Sequence, residues 1–175
     1  MNAGGEVVGT STLPGEESWH AFLWSNGHMI DLGTLGGSKS EAVSINDAGQ
    51  VVGRAYVSDA PLVRHAFLWE KGTMTDLGTV DPCPRGTAKG INSRGQIVGG
   101  LTCPDASGDL TVFRPFYVEK GKPMVDLNTL VDPPSDFYMD DAWFINERGE
   151  IVAVGFTPTG ETREVLLVPL PSSEE

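Results

Sequence analysis

Positive charge is scarce in this 175-residue sequence: 12 Lys and Arg stand against 24 Asp and Glu, for a net charge of −12. Such a chain repels phosphate backbones, and no cluster of Lys or Arg makes a local exception, so nucleic acid is not an expected partner. Long apolar runs are also missing. The stretch Val165-Leu-Leu-Val-Pro-Leu170 is far shorter than the roughly 20 residues a spanning helix needs, and no membrane insertion is expected. No charged leader followed by an apolar segment is present, so no signal peptide is read here. Gly-x-Ser-x-Gly, His-Glu-x-x-His and phosphate-binding glycine loops are all absent. No catalytic residue, cofactor or metal site is therefore assigned. Nothing sustains a helical period over ten residues.

Turn chemistry is plentiful, with 22 Gly and 12 Pro. The apolar fraction of 39 % still suffices for a core, and a chain of this length is expected to fold as one domain. Self-comparison is the informative step. Asn46-Asp-Ala-Gly-Gln-Val-Val-Gly53 recurs from Asn2, Asn92 and Asn146, at spacings of 44, 46 and 54 residues. His20-Ala-Phe-Leu-Trp24 recurs at His65–Trp69 and decays to Arg114–Val118 and Glu164–Val168. Asp31-Leu-Gly-Thr-Leu35 recurs from Asp76 and Asp126, and Ala42-Val-Ser-Ile-Asn46 from Ala88 and Ala142.

Each motif reads as a short strand, apolar and bounded by Gly, Asn or Pro. In chain order within a repeat these are strand a (Ala-x-x-Ile-Asn), b (Gly-Gln-Val-Val-Gly), c (His-Ala-Phe-Leu-Trp) and d (Met-x-Asp-Leu-Gly). Asn-x-x-Gly reverses the chain between a and b, and Ser25-Asn-Gly27 or Glu70-Lys-Gly72 between c and d. Strand c is apolar on both faces and is expected to be covered on both sides. A four-stranded antiparallel unit recurring at this period predicts an all-β, β-propeller-like array of four blades. The strand order b-c-d, a-b-c-d, a-b-c-d, a-b-c gives 14 strands, with the first and last blades incomplete. The approximate units are 2–35, 41–80, 87–130 and 141–170, within one domain of residues 1–170, and 171–175 form a tail. A β-trefoil is the runner-up, but it needs three copies and the Asn-x-x-Gly turn occurs four times.

The combination His-Ala-Phe-Leu-Trp, Asp-Leu-Gly-Thr-Leu-Gly-Gly and Ile-Asn-x-x-Gly-Gln-Val-Val-Gly resembles the extracellular HAF-repeat family, over about residues 2–170. The match is specific in the first two repeats, degraded in the third, and without its His-Ala-Phe element in the fourth. The resemblance implies a bacterial, extracellular, propeller-like protein and implies no activity.

Most recurring polar residues read as structural. His20 and His65 occupy one repeat position, and Asp31, Asp76 and Asp126 another, so both sets suit turn or inter-blade bonds. In the acidic segment Val131–Asp141, Asp132, Asp136, Asp140 and Asp141 are oxygen ligands of a kind that suits Ca²⁺. No Asp-x-Asp-x-Asp-Gly loop accompanies them, and a solvated loop is the simpler reading. Phe137 and Tyr138 in that segment mark a contact surface or fold back on the core. The hairpin register that pairs Ile91 with Gln96 leaves Cys83 and Cys103 one residue off the ladder. A bulge absorbs that slip, so a disulfide is expected, suited to an oxidising compartment.

Strand parity places the a–b and c–d turns on one face and the b–c and d–a connections on the other. Only the second face varies: its connections are read as Thr10–Trp19, Ala55–Arg64, Thr102–Val112 and Thr157–Arg163, with Gly36–Glu41, Asp81–Thr87 and Val131–Asp140. A fixed face opposite a varied one predicts ligand contacts on the varied one. The candidate residues are Arg64, Arg85, Asp105, Asp109, Phe137 and Tyr138, with Lys39 and Arg54 nearby. The expected function is a non-catalytic extracellular or periplasmic binding or scaffolding module for a protein or glycan, self-associating through open blade edges. The alternative is a carbohydrate-active enzyme using loop carboxylates.

Overall fold

The computed structural model describes residues 1–13, 15, 18–60, 62–131 and 136–170. Among these the chain forms 14 strands and one 3₁₀ turn, Leu127–Thr129, with no α-helix. The strands fall into four antiparallel meanders. The first is β1 (Val7–Thr12), β2 (Trp19–Ser25) and β3 (His28–Asp31). The second is β4 (Ser40–Ile45), β5 (Val51–Asp59), β6 (Leu62–Glu70) and β7 (Thr73–Asp76). The third is β8 (Arg85–Ile91), β9 (Gln96–Pro104), β10 (Leu110–Glu119) and β11 (Val125–Asp126). The fourth is β12 (Tyr138–Ile145), β13 (Ile151–Phe156) and β14 (Thr162–Leu167). These form three sheets, because one parallel pair, Arg64 opposite Arg85, merges the second and third meanders. Among the described residues no sheet closes on itself, and β1 and β14 each pair on one side only.

The turns form as their residues dictate. Asn46 O accepts from Gly49 N at 3.1 Å, and Gly49 supplies φ +75°, which a side chain resists. The asparagine side chain then clamps the turn: Asn46 Oδ1 accepts from Ala48 N and Gln50 N, and Nδ2 donates to Gln50 Oε1. Each asparagine also reaches the next turn. Asn2, Asn46 and Asn92 donate through Nδ2 to the carbonyls of Asn46, Asn92 and Asn146 at 3.1, 2.9 and 3.0 Å. The recurrence of Asn is thus an amide ladder across the meanders.

The hairpin register differs from expectation near the turn. Ile91 lies opposite Ile97 rather than Gln96, because Asn92 N donates to Gln96 O and that pair closes the turn. A bulge at Lys89 then restores the anticipated pairing at Ala88–Gly99. The same bulge falls at Val43 and Trp143, which explains the two free positions in Ala-x-x-Ile-Asn.

The strands also run further than their motifs. β5 and β6 remain paired to Asp59–Leu62, past a bulge at Val57, because Tyr56, Val57, Leu62 and Val63 favour extended backbone. The expected connection Ala55–Arg64 is therefore mostly strand. Arg64, Arg85 and Tyr138 sit in strands rather than loops.

Apolar residues fill the space between successive meanders. Ala21 and Leu23 pack on Val51, Phe67 and Trp69. On the opposite side of that sheet, Val52, Ala66 and Leu68 pack on Ile97, Leu101, Phe116 and Val118. Val98 packs with Ile151 and Ala153, with Val165 and Leu167 against them. Cys83 and Cys103 are joined in a disulfide, each 1 % exposed, at the edge of the central cluster.

Candidate functional site

The recurring His and Asp are partners. His20 Nδ1 lies 2.9 Å from Asp31 Oδ2, and His65 Nδ1 lies 2.9 Å from Asp76 Oδ2. Each aspartate also caps the following turn by accepting from Gly33 N or Gly78 N. In the third meander Arg114 takes the place of the histidine, 3.7 Å from Asp126. In the fourth, Glu164 stands there, and the described residues include no matching aspartate. In the first two meanders the two motifs therefore form one bond.

A polar cleft of about 200 Å³ opens at the end of the fold where the b–c and d–a connections lie. It is assembled from the second, third and fourth meanders. Arg54 and Arg64 come from β5 and β6, Thr87 and Lys89 from β8, Phe113 from β10, and Asp140 and Asp141 from β12. Arg54 is held by Glu41, with Nη2 2.5 Å from Oε2. Lys89 is ion-paired with Asp141. Gly100 leaves room for the Asp141 carboxylate: a Cβ there would lie 2.5 Å from Asp141 Oδ1.

Two groups in this cleft are left over. Arg64 Nε and Asp140 Oδ1 are buried atoms without a hydrogen-bond partner among the described residues. Burial, with Arg54 and Arg85 close by, pushes the Arg64 guanidinium below its ordinary value, opposed by the Tyr56 hydroxyl. Burial and the charge of Asp141 push the Asp140 carboxyl up. A buried polar atom without a partner is costly, and the two residues that carry these atoms both line the cleft.

Arg54 and Arg64 line the cleft, and Arg85 lies opposite Arg64 with Nε donating to Leu62 O at 3.3 Å. Tyr138 is exposed, its hydroxyl bonded to Phe113 O on the rim. Phe137 instead folds back against the core cluster of the fourth meander. Lys39 lies 4.0 Å over the Trp19 ring, away from the cleft lining. Asp105 spends both carboxylate oxygens on its own loop. It accepts from Ser107 N, Ser107 Oγ and Asp109 N through Oδ1, and from Thr111 Oγ1 through Oδ2. Those bonds hold it well below the usual carboxylate range. Asp109 is exposed and accepts from Ser107 Oγ at 3.3 Å.

Of the acidic segment, Asp132 lies outside the described residues, Asp136 is exposed, and Asp140 and Asp141 belong to the cleft. Among the described residues no group of three or more His, Cys, Asp or Glu is arranged to hold a metal ion. Lys89 was not singled out from the sequence; its only signal was a charge at a position filled by Val43 and Trp143 in sister repeats. A larger cavity of about 500 Å³ lies toward the Asn-x-x-Gly end, mostly apolar, between Leu127, Leu130, Ile151 and Leu167, with Arg94 and Arg148 also lining it.

No family model, curated protein or solved structure matches this chain. Among the described residues no helix is long and apolar enough to cross a membrane.

Proposed function

We propose that the chain is a propeller-like, non-catalytic binding module of the bacterial HAF-repeat type, working in an extracellular or periplasmic setting. The four meanders are its blades, and it binds a polar ligand in the cleft between Arg64 and Asp140. One observation carries the reading: Arg64 and Asp140, which hold an unpaired guanidinium N–H and an unpaired carboxylate oxygen, both line one cleft built from three repeats. A ligand that fits offers an acceptor to Arg64 and a donor to Asp140, as a sugar diol or an amide side chain does. The buried disulfide suits an oxidising compartment.

The enzymatic alternative draws on Asp140 alone. A carboxyl raised by burial beside an ion-paired carboxylate is the environment that separates a proton donor from an ionised partner. Glycan and protein arrays probed with the purified chain test both readings. A bound glycan or peptide is expected to lose at least tenfold in affinity with Arg64→Ala or Asp140→Ala, with the fold intact. Unchanged binding by both variants rejects the cleft. Turnover of a bound glycan that disappears with Asp140→Asn moves the assignment to the enzyme.

A further inference from the structure

We propose that the chain assembles head to tail with a second copy of itself. The outward face of the β1–β3 meander of one copy docks on the outward face of the β12–β14 meander of the other. This surface is separate from the cleft and from the sheet edges.

The three junctions inside the chain supply the template. At each, the rear face of one meander meets the front face of the next, and the front faces share a register. Val51 lies opposite Trp69, Ile97 opposite Val118, and Ile151 opposite Leu167. Val51 and Ile97 are fully buried, and Trp69 is 8 % exposed. The same register in the first meander is Val7 opposite Trp24, with Phe22 opposite Gly9. Among the described residues no meander covers that front face, and Val7 and Trp24 are 37 % and 41 % exposed.

The rear faces repeat the same logic. Val52 lies opposite Leu68, both buried under the third meander. Val152 lies opposite Leu166 in the fourth, and Leu166 is 58 % exposed. The free front and free rear therefore carry the two halves of a junction the chain already makes. Trp24 would meet Val152 and Leu166 as Trp69 meets Val8 and Leu23.

The polar contacts extend in the same direction. The amide ladder runs from each asparagine Nδ2 to the carbonyl of the next turn. Asn146 Nδ2 donates to Glu150 Oε2, which leaves its second N–H for Asn2 O of the second copy. Arg148 holds the repeat position of Arg94, whose Nη2 lies 2.9 Å from where a Cβ on Gly149 would sit. Arg148 is highly exposed and pairs with Glu150 at 2.5 Å; in the assembly it also stands over Gly5 and beside Glu6 of the second copy. Opposite charges then face each other across the junction.

The interface joins two different surfaces, so it is heterologous and leads to a ring or an open chain of copies. The test uses sedimentation equilibrium over a wide concentration series, with circular dichroism to verify folding. The wild-type chain is expected to associate as concentration rises. Trp24→Asp alone and Leu166→Asp alone are each expected to remain monomers, since each has lost one half of the junction. Mixed one to one, they are expected to form a species of twice the chain mass and nothing larger. Arg148→Glu is expected to weaken wild-type association at least fivefold. A wild-type monomer at every concentration overturns the proposal. So does wild-type-like association of either single variant, or a mixture that stays monomeric. If an aspartate variant fails to fold, Trp24→Ser and Leu166→Ser replace the pair under the same criteria.

Discussion

Asn92 is 1 % exposed and uses its whole amide. It accepts from Arg94 N and Gln96 N, and donates to Gln96 Oε1 and Asn146 O. Aspartate at this position would lose both donated bonds and bury a charge, and alanine would lose all four. Each buried group left without a partner costs about 1–3 kcal/mol. Asn92→Ala is therefore expected to lose about 3 kcal/mol in urea unfolding. Asn2→Ala, at the half-buried start of the ladder, is expected to lose about 1 kcal/mol by the same reasoning. Equal losses at the two positions would show that the bonds both side chains make outweigh the difference in their burial. The asparagines were legible in the sequence as turn residues. Their second bond was not, because it joins residues 44 to 54 positions apart.

At the scale of the element, the glycine that ends Gly-Gln-Val-Val-Gly is held against strand a in the second and third meanders, whereas the fourth carries Ala153 there, opposite Ala142. Glu41 O lies so close to Gly53 that an added Cβ would be 1.9 Å from it. In the third meander Gly99 meets Thr87 O at 2.1 Å by the same measure. Backbone cannot retreat from such a contact without breaking the ladder. Gly53→Ala is expected to cost about 3 kcal/mol or more. Gly4→Ala meets nothing nearer than Asn2 Oδ1 at 3.4 Å and is expected to stay within about 0.5 kcal/mol. Thermal melts of the two variants side by side check this. Strand identity, order and turn type were readable because alternation, β-branching and Asn-x-x-Gly act locally. Strand length was misjudged where Tyr56–Asp59 pairs beyond the motif, since pairing there depends on the partner strand.

Across the whole molecule, stability is distributed along a line of stacked repeats rather than around a single centre. Each meander touches its sequence neighbours, so protection should follow position in the stack. Amide exchange is expected to be slowest in β5, β6 and β9, whose neighbours cover both faces. It is expected to be fastest in β3 and β14, at the two ends. The disulfide belongs to the central cluster, so its reduction should raise exchange in β8 and β9 before it reaches β2 or β13. Uniform exchange across all four meanders would instead indicate one cooperative unit.

The sequence by itself determined the repeat, the 14 strands, their antiparallel order, the reversing turns and the pairing of Cys83 with Cys103. All of these follow from local propensity or from register counted along one hairpin. It also placed Arg54 and Arg64 at the varied end of the fold. Only the tertiary structure decided that these two share a cleft with Lys89, Asp140 and Asp141. It likewise decided that Asp105 turns inward on its own loop and that Phe137 folds into the core. Those outcomes depend on how one meander is set against the next. That setting is fixed by side chains interlocking across the stack, a relation that no periodicity within a single strand records.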